Sequence, residues 1–161
     1  MKNNYDQLYE YAYSMLENST PLKTDCGTLC DKKCCSGDGE TGMLLFPNEK
    51  TTLNIIENNG RFLAVCSGNC KRNERPLSCR LFPFFPVIDE KGNVRVEIDF
   101  RGFGICPLVE HRDEIVFSQR FLHRVRKVGE ALAKDEQCRS FMKKISEEIA
   151  QEENVISMLL K

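Results

Sequence analysis

The sequence lacks long apolar runs and an excess of charge of either sign. No stretch approaches the length of apolar sequence that crosses a bilayer, and the N-terminal stretch MKNNYDQLYEYAYSMLEN contains no apolar signal-peptide core. The formal net charge is −1 at pH 7, which gives no reason to expect a nucleic-acid or membrane partner. We therefore expect a cytoplasmic protein, in a compartment that keeps thiols reduced.

The sequence also lacks the motifs of common enzyme classes. It has no Gly-x-Gly-x-x-Gly after a strand, no phosphate-binding loop and no motif that pairs a nucleophile with a base. Cys-x-x-Cys, the usual mark of a redox thiol pair or a zinc knuckle, is absent as well. The two histidines, His111 and His123, are not at pair spacing with another ligand, and solvated or partly packed positions explain both. The sequence therefore identifies no catalytic residue.

Cysteine, in contrast, is abundant. Of the nine cysteines, four lie in CGTLCDKKCC at 26–35, three more follow at 66–79, and one lies in GFGICPL. Cys138 stands apart in an amphipathic segment, and we interpret it as a small buried apolar residue. A reducing compartment and an odd thiol count disfavour a disulfide framework, so we predict metal ligands, with a metal-free redox protein as an open alternative. The predicted ligands are Cys26, Cys30, Cys34, Cys35, Cys66, Cys70, Cys79 and Cys106.

The spacing of these cysteines limits how they can share a metal. Cys26 and Cys30 are an i, i+4 pair, which on a helix places the Cβ atoms roughly 5–6 Å apart. Cys26 and Cys34 would lie about 12 Å apart along a helix axis, so one helix cannot bring both to a single ion. Either the segment turns, for which Gly27 is available, or the cysteines serve two centres. Adjacent Cys34 and Cys35 would divide between centres, unless one of them is not a ligand.

An all-thiolate site favours zinc or an iron–sulfur cluster. Zinc is common in closed four-cysteine sites and is indifferent to oxygen. Iron–sulfur is favoured by the missing two-residue knuckle, by the Cys106-Pro107 step and by the number of thiols. We prefer a 4Fe–4S cluster, with Zn²⁺ in the same pocket as the outcome of aerobic preparation. Arg80, between Cys79 and an apolar run, is expected to lie beside the ligands.

The paired cysteines and the later RPLSCRLFPFFP resemble the YkgJ-type family of zinc- or iron-chelating cysteine-cluster proteins. That family shows several cysteines ending in a Cys-Cys pair, then Arg-Pro-x-x-Cys-Arg and an aromatic–proline element. The resemblance covers roughly residues 24–86 and implies metal chelation. The first cysteines are spaced by three residues where two are frequent in the family, and Cys106 lies beyond the match. The positions carried over are Cys26, Cys30, Cys34, Cys35, Cys66, Cys70, Arg75, Pro76, Cys79 and Arg80.

The function we expect is metal binding in a structural or electron-transfer role, with no protein partner indicated. A flagellin lysine-N-methylase shares a similar cysteine pattern. The alternative is therefore a metal-dependent enzyme, or an enzyme subunit, related to that methylase.

The apolar periodicity predicts an α+β fold, mostly helical, in one domain over 1–161. Its cysteine-bearing part is 24–107, in loops with one β-hairpin, and its helical C-terminal part is 118–160. CRLFPFFP is expected to be neither helix nor central strand, with Phe82, Phe84 and Phe85 forming an apolar wall. The other predicted elements are a helix at 4–18, a glycine-rich loop at 36–42, a helix at 49–59 between Asn48 and Gly60, a strand at 61–66, a hairpin at 85–100, and two helices from about Ser118, broken near Asp135.

Overall fold

The structure is a computed structural model that describes residues 3–35, 42–68 and 70–161. The predicted glycine-rich loop lies outside the described residues except for Gly42. The elements follow in the order α1 (Asn4–Leu16), α2 (Gly27–Cys30), β1 (Gly42–Leu44), β2 (Asn54–Asn58), β3 (Arg61–Val65), α3 (Leu77–Leu81), β4 (Phe84–Ile88), β5 (Val94–Ile98), α4 (Pro107–Glu110), α5 (Gln119–Leu132) and α6 (Glu136–Leu159).

The two C-terminal helices begin at side chains that cap them. Ser118 Oγ accepts a hydrogen bond from the Phe121 amide at 3.3 Å, and Asp135 Oδ1 accepts one from the Cys138 amide at 2.9 Å. Such caps satisfy amides that the first helical turn leaves without partners. The predicted start near Ser118 and the break near Asp135 are both confirmed.

The predicted hairpin is also present, with β4 and β5 antiparallel and Phe84 paired with Ile98. The Asp89 carboxylate closes its turn by accepting hydrogen bonds from the amides of Lys91 and Asn93, each at 2.9 Å. Helix α5 packs so closely on this sheet that a Cβ at Gly129 would lie 2.4 Å from Pro86 Cβ. Glycine at position 129 therefore sets the distance between helix and sheet.

The predicted helix at 49–59 is wrong, because residues 54–58 form strand β2. This strand pairs with β3 along its whole length, from Asn54 opposite Val65 to Asn58 opposite Arg61. Asn59 and Gly60 both have positive φ, 52° and 75°, which is the backbone that a two-residue hairpin turn requires. With β1 on the other side of β3, the chain forms a second antiparallel sheet in addition to the one hairpin expected.

The prediction that CRLFPFFP is not helical is wrong at its start, whereas its second half forms an edge strand, as the exclusion of a central strand allows. Leu77–Leu81 is a short helix, α3, that carries Cys79, and the second half of the segment begins β4. Proline is tolerated at Pro86 because a two-stranded sheet leaves each strand one unpaired edge. The Phe82–Pro83 peptide bond between helix and strand is cis.

The main core lies where α1, α5 and α6 cover the hairpin. Cys138 is fully buried there, as predicted, and its thiol lies 3.6 Å from Tyr9 Oη.

Within the described residues, no helix combines the length and apolarity needed to cross a membrane. The predicted α+β class is confirmed. The side chains from α5 and α6 with at most 1% exposure are Phe121, Val125, Val128, Leu132, Cys138, Met142, Ile145 and Ile149.

Candidate metal centre

Six of the eight predicted ligands line a single cavity. Its volume is about 70 Å³, several times the roughly 10–15 Å³ that one water molecule requires. The segments that supply these thiols are the region around α2, the loop after β3, and helix α3. Residues up to 53 positions apart in the chain therefore come together here. The cysteines that line this thiol cavity are Cys26, Cys34, Cys35, Cys66, Cys70 and Cys79.

The other two predicted ligands lie beside Cys26. Cys106, 7% exposed, belongs to a small apolar cluster that Cys26 packs against. The Cys30 thiol points back toward the Cys26 carbonyl oxygen, 3.9 Å away. We call Cys26, Cys30 and Cys106 the first thiol group.

A second thiol group consists of Cys35, Cys66, Cys70 and Cys79, in which Cys35 and Cys79 each have both Cys66 and Cys70 as electrostatic neighbours. Cys34 lies between the groups, since its thiol contacts Cys35 and has all three thiols of the first group as electrostatic neighbours. The structure therefore brings all eight predicted cysteines into one region.

The first cysteine stretch is separated into two parts by a turn. Helix α2 ends at Cys30, and Asp31 and Lys32 follow in the left-handed region with φ of 53° and 55°. The Lys32 amide donates to the Gly27 carbonyl at 3.2 Å, which closes the turn. The turn thus lies after Cys30 rather than at Gly27, and it directs Cys34 and Cys35 away from the axis of α2.

Two groups in the protein interact with sulfur atoms of the second thiol group. The Gly68 amide donates a hydrogen bond to Cys66 Sγ at 3.3 Å. Burial alone would lower the pKa of Arg75, but its hydrogen bond and charge interaction with Cys70 raise that pKa above its ordinary value. Gly68 and Arg75 therefore place donors beside two sulfur atoms of this group.

Two cations line the thiol cavity, Lys32 and Arg75, and Arg75 interacts with a thiol there. Arg80 follows Cys79 in the chain but makes its hydrogen bonds to backbone carbonyl oxygens. Arg80 donates hydrogen bonds to the carbonyl oxygens of Arg75 and Asn73, at 2.8 and 2.9 Å. Its guanidinium also lies over the ring of Tyr13, 4.3 Å from the centroid. Arg80 thus supports the loop from which Arg75 reaches Cys70.

Burial and neighbouring charges raise the pKa of several of these thiols. Burial, with help from Asp25, Cys106 and Cys30, raises the pKa of Cys26 to about 11. Burial and the neighbouring thiols, Cys34 first, raise the pKa of Cys35 to about 12. Cys79, in α3, is shifted in the same direction, again chiefly by burial. A metal cation in the cavity reverses this balance, so metal binding would release protons.

The donor set is that of a soft metal, but the thiols are not at ligating positions. Among residues 3–35, 42–68 and 70–161, no three side chains of His, Cys, Asp or Glu are arranged to hold one ion. Neither histidine lines the thiol cavity. His111 faces Glu114 at 3.9 Å, and His123 is exposed on α5. The residues therefore fit a thiolate-bound metal by the chemistry of their donors and by the cavity that they share.

Only one of the three predicted wall phenylalanines lines the thiol cavity. Phe82 lies beside Cys79 there. Phe84 instead packs edge-on against Phe117 at 4.8 Å, and Phe85 stacks on Phe46 at 5.9 Å, both in the main core. The predicted apolar wall is therefore divided between the site and the core.

Sequence reasoning missed Glu49, a buried carboxylate that positions α3. Glu49 is 8% exposed and accepts hydrogen bonds from the Leu77 amide at 2.7 Å and the Phe46 amide at 3.0 Å. Tyr13 Oη donates a third at 2.6 Å. Because Leu77 is the first residue of α3, Glu49 fixes the start of the helix that presents Cys79. Its partners on α1 and α3 are 36 and 28 residues away, respectively, so no local motif indicates this role.

Comparisons of this chain with protein-family models, with curated proteins and with solved structures find no match. The resemblance to the YkgJ-type family therefore rests on the cysteine motifs alone and stays a prediction.

Proposed function

We propose that this protein binds a metal ion or cluster through the thiolates of its clustered cysteines, in a structural or electron-transfer role. The observation that carries the proposal is the thiol cavity, where six cysteines from three separate regions of the chain converge. Thiols at such density repel one another as thiolates, and a shared metal cation removes that repulsion. All nine cysteines of the chain are free. A reducing cytoplasm, which we propose as the site of action, would keep them so.

The grouping of the thiols supports two four-cysteine sites. The second thiol group already numbers four: Cys35, Cys66, Cys70 and Cys79. The first group reaches four when Cys34 joins it, which accounts for the adjacent pair Cys34 and Cys35 as ligands of different centres. Arg75 would offset part of the negative charge that four thiolates leave around the second site.

A 4Fe–4S cluster is the occupant we propose, with Zn²⁺ in the same pocket after aerobic preparation. A bound cluster would supply one-electron redox chemistry, and zinc would supply a structural cross-link. The cluster accommodates thiols that lie farther apart because its irons are themselves separated. Cys106-Pro107 also matches the step that ends ferredoxin ligand runs.

The test is the metal content of matched cysteine variants, purified without oxygen. Cys79→Ser removes a thiol of the second group, and we expect it to lose bound metal and thermal stability together. Cys138→Ala removes the thiol in the core and should keep the wild-type metal content, although burial makes it a destabilising change. Metal loss in Cys138→Ala, or full metal content in both Cys79→Ser and Cys70→Ser, would contradict the proposal.

A further inference from the structure

A second cavity, of about 170 Å³, adjoins the thiol cavity and shares Cys26, Cys79 and Arg75 with it. Three guanidinium groups line this second cavity, those of Arg72, Arg75 and Arg80. We call it the arginine cavity. Such a concentration of positive charge in a concave site is unusual for a chain whose net charge is −1.

The three arginines differ in how far their hydrogen-bonding groups are already used. Arg80 is committed to two carbonyl oxygens and to the Tyr13 ring, as described above. Among the described residues, the partners of Arg72 are the Ser19 carbonyl oxygen, at a long 3.4 Å, and an Asp25 oxygen 3.9 Å away. Arg72 therefore keeps most of its donors available for a molecule in the cavity.

Arg75 has a donor that is both buried and unused. Within the part of the chain that the structure describes, Arg75 Nε is a buried side-chain nitrogen without a hydrogen-bond partner. Native proteins rarely leave such a group unpaired, because burial removes its water and nothing replaces it. Arg75 lines the arginine cavity, so an acceptor bound there would lie beside the residue that has this unpaired donor.

We propose that the arginine cavity binds a small oxyanion, a carboxylate or a phosphate, through Arg72 and Arg75. The planar guanidinium group presents parallel donors that match two oxygens of either anion. Arg80 adds positive charge and holds the loop on which Arg72 and Arg75 lie. This inference goes beyond the proposed metal site and does not require it.

Two carboxylates also line the cavity and limit its affinity. Glu17 is exposed at its edge, and Asp25 points one oxygen at the Gly27 amide, 3.1 Å away, and the other toward Arg72. Asp25 is thus the internal competitor for Arg72. Removing its charge should strengthen anion binding, whereas removing Arg72 should weaken it.

The location suggests what the anion would do. Cys26 and Cys79 line both cavities, so a bound oxyanion would lie next to the metal centre. On the proposed function, the anion would then be a substrate or a modulator of the metal centre rather than a separate ligand.

The experiment is a titration of the full-length protein with inorganic phosphate and, separately, with malonate. Binding is followed by ¹⁵N NMR of the arginine side-chain Nε–H signals and of the backbone amides at 72–75. We expect saturable shifts that include the Arg75 Nε–H signal. Arg72→Gln should weaken binding by about tenfold or more, the loss expected for one charge-assisted hydrogen bond. Asp25→Asn should strengthen binding.

The matched control is Arg126→Gln, which removes an exposed guanidinium that pairs with Glu130 on α5. It should bind both anions as the wild type does. Saturation with phosphate or with malonate alone supports the site and identifies the class of anion. No saturable binding of either anion, or equal binding by wild type and Arg72→Gln, would overturn the proposal.

Elemental analysis of the same samples separates this inference from the metal proposal. Protein that carries no metal and still binds phosphate at Arg75 supports the oxyanion site and counts against the metal centre. Metal-loaded protein that binds neither anion contradicts the oxyanion site alone.

Discussion

The helical core and the thiol region of this molecule are stabilised in different ways. In the core, α5 and α6 bury Phe121, Val125 and Leu132 completely against the hairpin. In the thiol region, α2 has no buried residue and β2 is exposed along its whole length. Apolar burial is the main source of folding free energy, so α2 and β2 contribute little to it, whereas α3, which presents Cys79, places Leu77 and Leu81 in the main core. The metal that we propose would therefore stabilise chiefly the segment around α2, which carries Cys26 and Cys30.

The largest expected effect comes from metal removal. We expect a chelator to abolish amide hydrogen-exchange protection at 26–35 and 66–79 while α5 and α6 keep theirs, because metal binding energy there is folding energy. Hydrogen exchange with mass spectrometry, with and without chelator, measures this directly. Equal protection of the thiol region in both samples would show that its packing alone suffices.

A substitution in the helical core should lower the stability of the protein without changing its metal content. Leu132→Ala removes a fully buried side chain, and we expect it to lower the free energy of unfolding by about 2–5 kcal/mol. Metal content per folded molecule should not change. Denaturant unfolding and elemental analysis check the two halves of this prediction, and Leu160→Ala, at an exposed side chain, is the control.

Glu49 connects the two regions, so its substitution should affect both. Glu49→Gln keeps the volume but replaces one accepting oxygen with a donor that faces a backbone amide or Tyr13 Oη. We expect a loss of about 1–3 kcal/mol in the free energy of unfolding, together with weaker metal binding as α3 shifts. If stability falls while metal affinity stays at the wild-type value, then Glu49 does not position Cys79. Glu153→Gln, at an exposed site on α6, should change neither.

The hairpin that joins β2 to β3 should show the smallest effect. Gly60 has φ of 75°, and a Cβ there would meet no atom within 4 Å, so any cost comes from the backbone alone. We expect Gly60→Ala to cost about 1–2 kcal/mol and Gly60→Asn less, because asparagine tolerates the left-handed region. Thermal unfolding of the two variants compares them. Equal melting temperatures for Gly60→Ala and the wild type would exclude the strained turn.

The contrast between the helical core and the thiol region also explains which elements could be predicted from the sequence. The C-terminal helices and the β4–β5 hairpin follow from local signals, namely apolar periodicity, the caps Ser118 and Asp135, and the turn at Asp89. Strand β2 is followed by a local signal for a hairpin, because Asn59-Gly60 strongly favours a two-residue turn between antiparallel strands. That signal outweighs the apolar residues that suggested a helix.

The candidate site was predictable in its cysteines but not in their arrangement. The clustering of eight cysteines identified which thiols meet. Their division into two groups depends on the left-handed turn at Asp31 and Lys32. Aspartate tolerates that conformation, but lysine does not favour it, so two such residues in succession are not expected from the sequence. The roles of Glu49 and Arg75 depend on contacts between distant segments, which no spacing in the sequence reveals.

The most direct test of the central claim is metal and sulfide analysis of wild-type protein purified without oxygen from iron-supplied cells, with an absorption spectrum. We predict iron and acid-labile sulfide in stoichiometric amounts, and broad visible absorption that bleaches on reduction. Colourless protein with stoichiometric zinc and no sulfide would keep the thiolate metal site and contradict the cluster. Folded protein that holds neither metal would contradict the account as a whole.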